Sequence, residues 1–165
     1  PRVRRQRQMC IRDRVKTAFG YYTPDKETLF CKQLLRKENE IIGYETGLSA
    51  LNRIGLVSQM PKRRCIATNL HTKRIPEGMQ IEIRKPPIVV NSGNFRYLQI
   101  LDAIRELDMA PVDTAKPIDV VRATVEEFTL KTEMLILMAR KYYGQKTLLR
   151  TIDILLEGSY ETARG

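Results

Sequence analysis

His71 is the only histidine in 165 residues, so a Ser–His–Asp triad or a Cys–His pair would have to be built on it. It lies in "NLHTKR", between two predicted strands, where an exposed turn is the simpler place for it. Cys10, Cys31 and Cys65 are odd in number, widely spaced and free of any C-x-x-C pair, which argues against a disulfide framework and a zinc ribbon. Carboxylates neighbour one another at Glu126 and Glu127, around a helix, and at Glu38 and Glu40, at a helix end; both read as solvated charge. Met134 and Met138, at i and i+4, have the spacing of core side chains. Phosphate cradles of the G-x-G-x-x-G or G-x-x-x-x-G-K-S/T kind are absent. This inventory leads us to expect no catalytic residue, no metal ligand and no cofactor.

What remains is basic clustering: Lys62, Arg63 and Arg64, then Lys73 and Arg74, then Arg84 and Lys85, each group flanking a predicted strand end. Converging on one side of a sheet, they could meet phosphates or an acidic protein face. As separate groups they would solubilise the chain and discourage edge-to-edge pairing, the plainer reading, because no aromatic residues interleave with them. Lys62, Arg63, Arg64, Lys73 and Arg74 are the residues expected to touch a partner or nucleic acid.

The net charge of +10 points the same way only in part. Arg2, Arg4, Arg5, Arg7, Arg12, Arg14 and Lys16 stand against Asp13 alone, so most of the excess lies in the first sixteen residues. The chain is 42% hydrophobic and 29% charged, without an apolar run of membrane-spanning length or a secretory leader, and no membrane role is expected. A cytoplasmic location is the expectation.

Positioning these groups calls for an α+β chain with a small, mostly antiparallel sheet, packed helices and a C-terminal helical bundle. "AFGYYTP" fits a short strand closed by a turn, and Asp25 can cap a helix whose apolar side carries Leu29, Phe30, Leu34 and Leu35, with Cys31 as a core filler. Leu48, Ala50, Leu51 and Ile54 predict a short helix started near Glu45 or Thr46 and stopped at Gly55. Strands are predicted at Arg64–Asn69, Met79–Arg84 and Pro86–Val90. "NSGN" should turn the chain into a helix from Phe95 to about Leu107. Three further apolar stripes, around Val121, Leu135 and Ile152, predict helices from about residue 118, with a helical hairpin packed against the sheet.

The stretch "GYETGLSALNRIGLVSQMPKRRCIATN" resembles the AbiEi-type antitoxin family of type IV toxin–antitoxin (abortive infection) systems and the transcriptional regulators related to it. The likeness is in the order of parts: a helix reading G-x-x-A-L-N-x-x-G-L (Gly47, Ala50, Leu51, Asn52, Gly55, Leu56), then Ser58-Gln59-x-Pro61, the strand "IATN", a second strand and the helix "LQILDAI". It covers about Gly20 to Leu107, and "LMARKYYGQKTLLRTIDILLEG" fits the family's helical end more loosely. The resemblance implies a winged helix-turn-helix that binds operator DNA, followed by a domain that neutralises a nucleotidyltransferase-like toxin, through the toxin or its RNA or nucleotide target. Residues 15–24 then look like the remnant of the wing, with Phe19 where relatives often carry an arginine, and 25–165 like the C-terminal α+β domain. The helices that go before the wing are not in the sequence. "RQRQMCIRDR" is similar to translated adapter sequence, so residues 1–14 are expected to be a non-native or disordered basic segment.

The function expected is that of the non-catalytic, toxin-neutralising part of an antitoxin and transcriptional regulator, with Asn52, Gln59 and Asn69 fixing loops through side-chain to backbone hydrogen bonds. Two alternatives differ from it in kind. A nucleic-acid-processing enzyme or nuclease-like remnant would use a carboxylate such as Glu82 or Asp102 for metal, and would bring the acids into one cleft. A stand-alone DNA-binding module would need only the bases.

Overall fold

The computed structural model describes residues 14–16, 22–108 and 110–162. The basic segment expected at 1–14 lies outside the described residues as far as residue 13, as does most of "AFGYY". Strand β1 (Arg14–Lys16) pairs antiparallel with β2 (Tyr22–Pro24), Val15 opposite Thr23.

Asp25 starts α1 (Lys26–Leu35) as expected, its carboxylate accepting the Thr28 N–H at 2.6 Å. Such a cap is worth roughly 1 kcal/mol. Phe30, Cys31 and Leu34 are buried, whereas Leu29, expected on the same side, is 46% exposed on the outer face. A tight antiparallel pair follows, β3 (Arg36–Lys37) with β4 (Glu40–Ile41).

The central sheet has the order β5 (Gly43–Glu45), β6 (Arg64–Thr68), β7 (Ile81–Arg84). β5 and β6 run antiparallel with Tyr44 opposite Ala67; β6 and β7 run parallel with Ile66 opposite Ile83. Alternation along β6 divides the core. Ile66, with Ile81 of β7, packs on Phe30, Cys31 and Leu34 of α1, while Ala67, with Tyr44, joins the larger core on the other face. No strand forms at Pro86–Val90, contrary to expectation. Two prolines without N–H groups cannot sustain a ladder, and the Asn69 side chain stands in for one, accepting the Val90 N–H at 2.9 Å and donating to its carbonyl at 3.0 Å.

Between β5 and β6 lies α2 (Gly47–Arg53). After β7, α3 (Phe95–Glu106) begins at Asn94, as the sequence suggested, although the Asn94 side chain bonds Val89 and Asn91 rather than capping. Every residue of α3 from Leu98 to Ile104 is buried, so this helix is enclosed on all sides. Around it pack α4 (Pro117–Glu127), α5 (Thr132–Tyr142) and α6 (Gln145–Thr162). The hairpin of α5 and α6 therefore docks on α3, and through α3 on the sheet. The fold is α+β. Among the described residues no helix is long and apolar enough to cross a membrane.

Candidate functional site

The stretch from Gly47 to Asn69 closes on itself through its own polar side chains. Both glycines of its helical pattern adopt left-handed backbone, φ +61° at Gly47 and +85° at Gly55, the second ending α2 as anticipated. Asn52 donates its amide to the carbonyls of Val57 at 2.9 Å, Gln59 at 3.1 Å and Ser58 at 3.4 Å, which winds the chain after α2 around one side chain. Gln59 takes part through its carbonyl alone, a different role from the one expected. Ser58 donates its N–H and hydroxyl to Asp113, and these bonds hold the Asp113 carboxyl below its usual range. Ser49 accepts the Cys65 N–H at 3.0 Å, tying α2 to β6.

A chain of charges runs along the α3 face of the sheet. Arg84 Nε lies 2.7 Å from Glu82 and its Nη1 2.7 Å from Glu106. Arg105 Nη2 then reaches Glu106 at 3.7 Å and Asp102 at 3.1 Å. Asp102 is 3% exposed and also accepts the hydroxyls of Thr46 (2.7 Å), Tyr44 (2.9 Å) and Tyr143 (2.9 Å), so its lone pairs are fully used. Burial, and next the charge of Asp102, raise both tyrosines far above the usual phenol value, fixing them as hydrogen-bond donors. Cys65 points its thiol at Glu82, 3.5 Å away; burial first, then that carboxylate, pushes the thiol up to about 11. Glu82 itself is lowered by its bond to Arg84. On the opposite face, buried Glu45 pairs with Arg53 Nε at 3.1 Å and Arg64 Nη2 at 3.9 Å.

Glu82 and Asp102 thus do belong to one assembly, with guanidinium groups interleaved between the carboxylates. Among the described residues no group of three or more His, Cys, Asp or Glu is arranged to hold a metal. Chemically, the assembly is an electrostatic clamp joining β7, α3 and, through Tyr143, the C-terminal helices. Sequence reasoning missed Glu45, Tyr44, Tyr143, Arg105 and Glu106. The available signal was Asp102, a charged residue inside the apolar run "LQILDAI".

The predicted contact residues are spread over two places. Lys62 and Arg63 are exposed at the opening of β6, and Arg64 is half-buried against Glu45. Lys73 donates to Gln33 of α1 at 2.9 Å and lies 4.9 Å from the Phe30 ring centre, with exposed Arg74 beside it in the chain. Because Arg64 pairs with Ile81 and Ala67 with Arg84 in the parallel register, Arg84 and Lys85 stand at the far end of the strands, and Arg84 is taken up by carboxylates. Lys85, His71 and Asn69 instead line, with Pro86, Pro87, Ile88 and Val89, an open cavity of about 320 Å³. His71 is exposed there, as a turn histidine should be.

Compared with protein-family models, with curated proteins and with solved structures, the chain matches none of them.

Proposed function

We propose that the chain is the non-catalytic, toxin-neutralising part of an AbiEi-like antitoxin and transcriptional regulator, acting in the cytoplasm on a nucleotidyltransferase-like toxin or on that toxin's RNA or nucleotide target. The observation that carries the reading is how the motif behind the resemblance uses its polar groups. Asn52 holds three carbonyls, Ser49 and Ser58 hold β6 and Asp113, and Glu45 is held by arginines. A general base or nucleophile must keep a lone pair available to substrate, whereas these groups are occupied in maintaining a rigid scaffold. On this reading Lys62, Arg63, Arg64, Lys73 and Arg74 meet the partner from that scaffold, and operator binding belongs to a winged-helix part of the same regulator.

The test is co-expression with the nucleotidyltransferase-like reading frame of the same locus. Induction of that frame alone should arrest growth, and the chain should restore it. Arrest that persists while the folded chain accumulates would overturn the reading.

A further inference from the structure

The outer face of α1 carries Lys26, Leu29, Lys32 and Gln33 and continues into Arg36, all exposed. Lys26, Lys32 and Arg36 make no ion pair and no side-chain hydrogen bond among the described residues. Three-residue steps put Lys26, Leu29 and Lys32 on one side of the helix, Lys32 about 9 Å along the axis from Lys26, and Arg36 follows where the chain leaves the helix into β3. The fold adds bases from both flanks. Lys73 is held against Phe30 and Gln33 on one side, and the Arg64 guanidinium lies against the Cys31 thiol on the other while paired with Glu45. Of the neighbouring acids, Asp25 caps the helix and Glu27 turns to the Gln80 N–H at 3.1 Å, while exposed Glu38 and Glu40 share the β3–β4 hairpin with Arg36, Glu40 standing opposite Lys37.

We infer that this face binds the sugar–phosphate backbone of a nucleic acid, with Lys26, Lys32 and Arg36 on the crest and Lys73 on the flank. The inference goes beyond the antitoxin reading and does not rest on it. Two features choose this occupant over an acidic protein. The centre of a protein–protein interface is poor in charge and especially in lysine, whereas this crest is mostly charge with Leu29 its one large apolar side chain. Phosphate contacts, by contrast, need only unpaired cations at intervals along a groove or strand. The absence of aromatic side chains on the crest assigns the contact to the backbone and makes it indifferent to base sequence.

The test uses the full chain and two fluorescein-labelled mixed-sequence duplexes, one of RNA and one of DNA, with anisotropy titrations over a range of salt. Lys32→Glu with Arg36→Glu is compared with Lys131→Glu and Arg140→Glu, two exposed bases of the α5 region that change the net charge equally. The α1 pair should weaken binding by about tenfold or more and flatten the slope of log K against log salt by about 2, at roughly 0.9 per lost phosphate contact. The α5 pair should stay within about threefold of the parent chain. The duplex that shows the larger difference identifies the natural polymer. Lys32→Gln with Arg36→Gln, which keeps the side-chain length, should move in the same direction and guards against misfolding of the reversal. Equal weakening by both pairs, unchanged binding of the α1 variants, or no binding of the parent chain to either duplex would overturn the inference.

Discussion

Asp102 concentrates more of this protein's polar energetics than any other described side chain. Three hydroxyls and a guanidinium converge on it from residues 44, 46, 105 and 143, all distant from it in sequence except Arg105. Asp102→Ala would strand the buried hydroxyls of Tyr44 and Thr46 and unpair the partly exposed Tyr143 and Arg105, and should cost about 3 kcal/mol of unfolding free energy, read by urea titration. Tyr143→Phe removes one donor from an acceptor that keeps its others, and should cost only about 1 kcal/mol. Cys65 supplies a pH signature. Its folded value of about 11 lies above its ordinary 9.0, so the folded state retains a proton that the unfolded state gives up between those values. Stability is therefore flat on this account up to about pH 9 and falls as pH rises toward 11. Cys65→Ala should make the fall shallower in denaturation series at pH 8, 9.5 and 10.5, leaving the part that belongs to Cys31, Tyr44 and Tyr143.

Elements were legible where local chemistry decides them. The Asp25 cap, the stop at Gly55 and the helix from Phe95 follow from spacing that acts within a turn or two. β5 was not legible: it has three residues, all buried, so it shows no alternation, and "IIGYE" gives a pattern reader nothing to count. Its entry depends on Gly43, where a Cβ would stand 2.4 Å from the Leu34 carbonyl oxygen and 2.9 Å from that of Ala67. Gly43→Ala must push α1 off the sheet edge and should lower stability by more than about 2 kcal/mol in thermal or chemical unfolding. The Pro86–Val90 segment was misread as a strand because its β-branched residues carry the right propensity, while its real partner is one amide side chain. Asn69→Ala should release it: the Val90 amide would exchange with solvent at least about tenfold faster, with a loss of about 1–2 kcal/mol.

At the scale of the whole molecule, the two-faced sheet and the enclosed α3 explain why the candidate site was only half visible beforehand. The bases could be named from sequence, since each group was expected to flank a strand end, although Lys73 and Arg74 lie midway between β6 and β7; their spatial grouping depends on a parallel register and on where α1 lies. The carboxylates could be named as well. That arginines from β7 and α3 would come between them is a property of tertiary packing alone. We propose that this assembly serves as scaffold and that the protein acts by binding. The most direct measurement is plating efficiency of cells in which the nucleotidyltransferase-like frame is induced together with the chain carrying Glu82→Gln. Glu82 is partly exposed and its amide replacement keeps the size of the side chain while removing its charge and its capacity as a base. Rescue equal to that by the parent chain is expected. Rescue by the parent alone, with the variant folded and equally abundant, would contradict it.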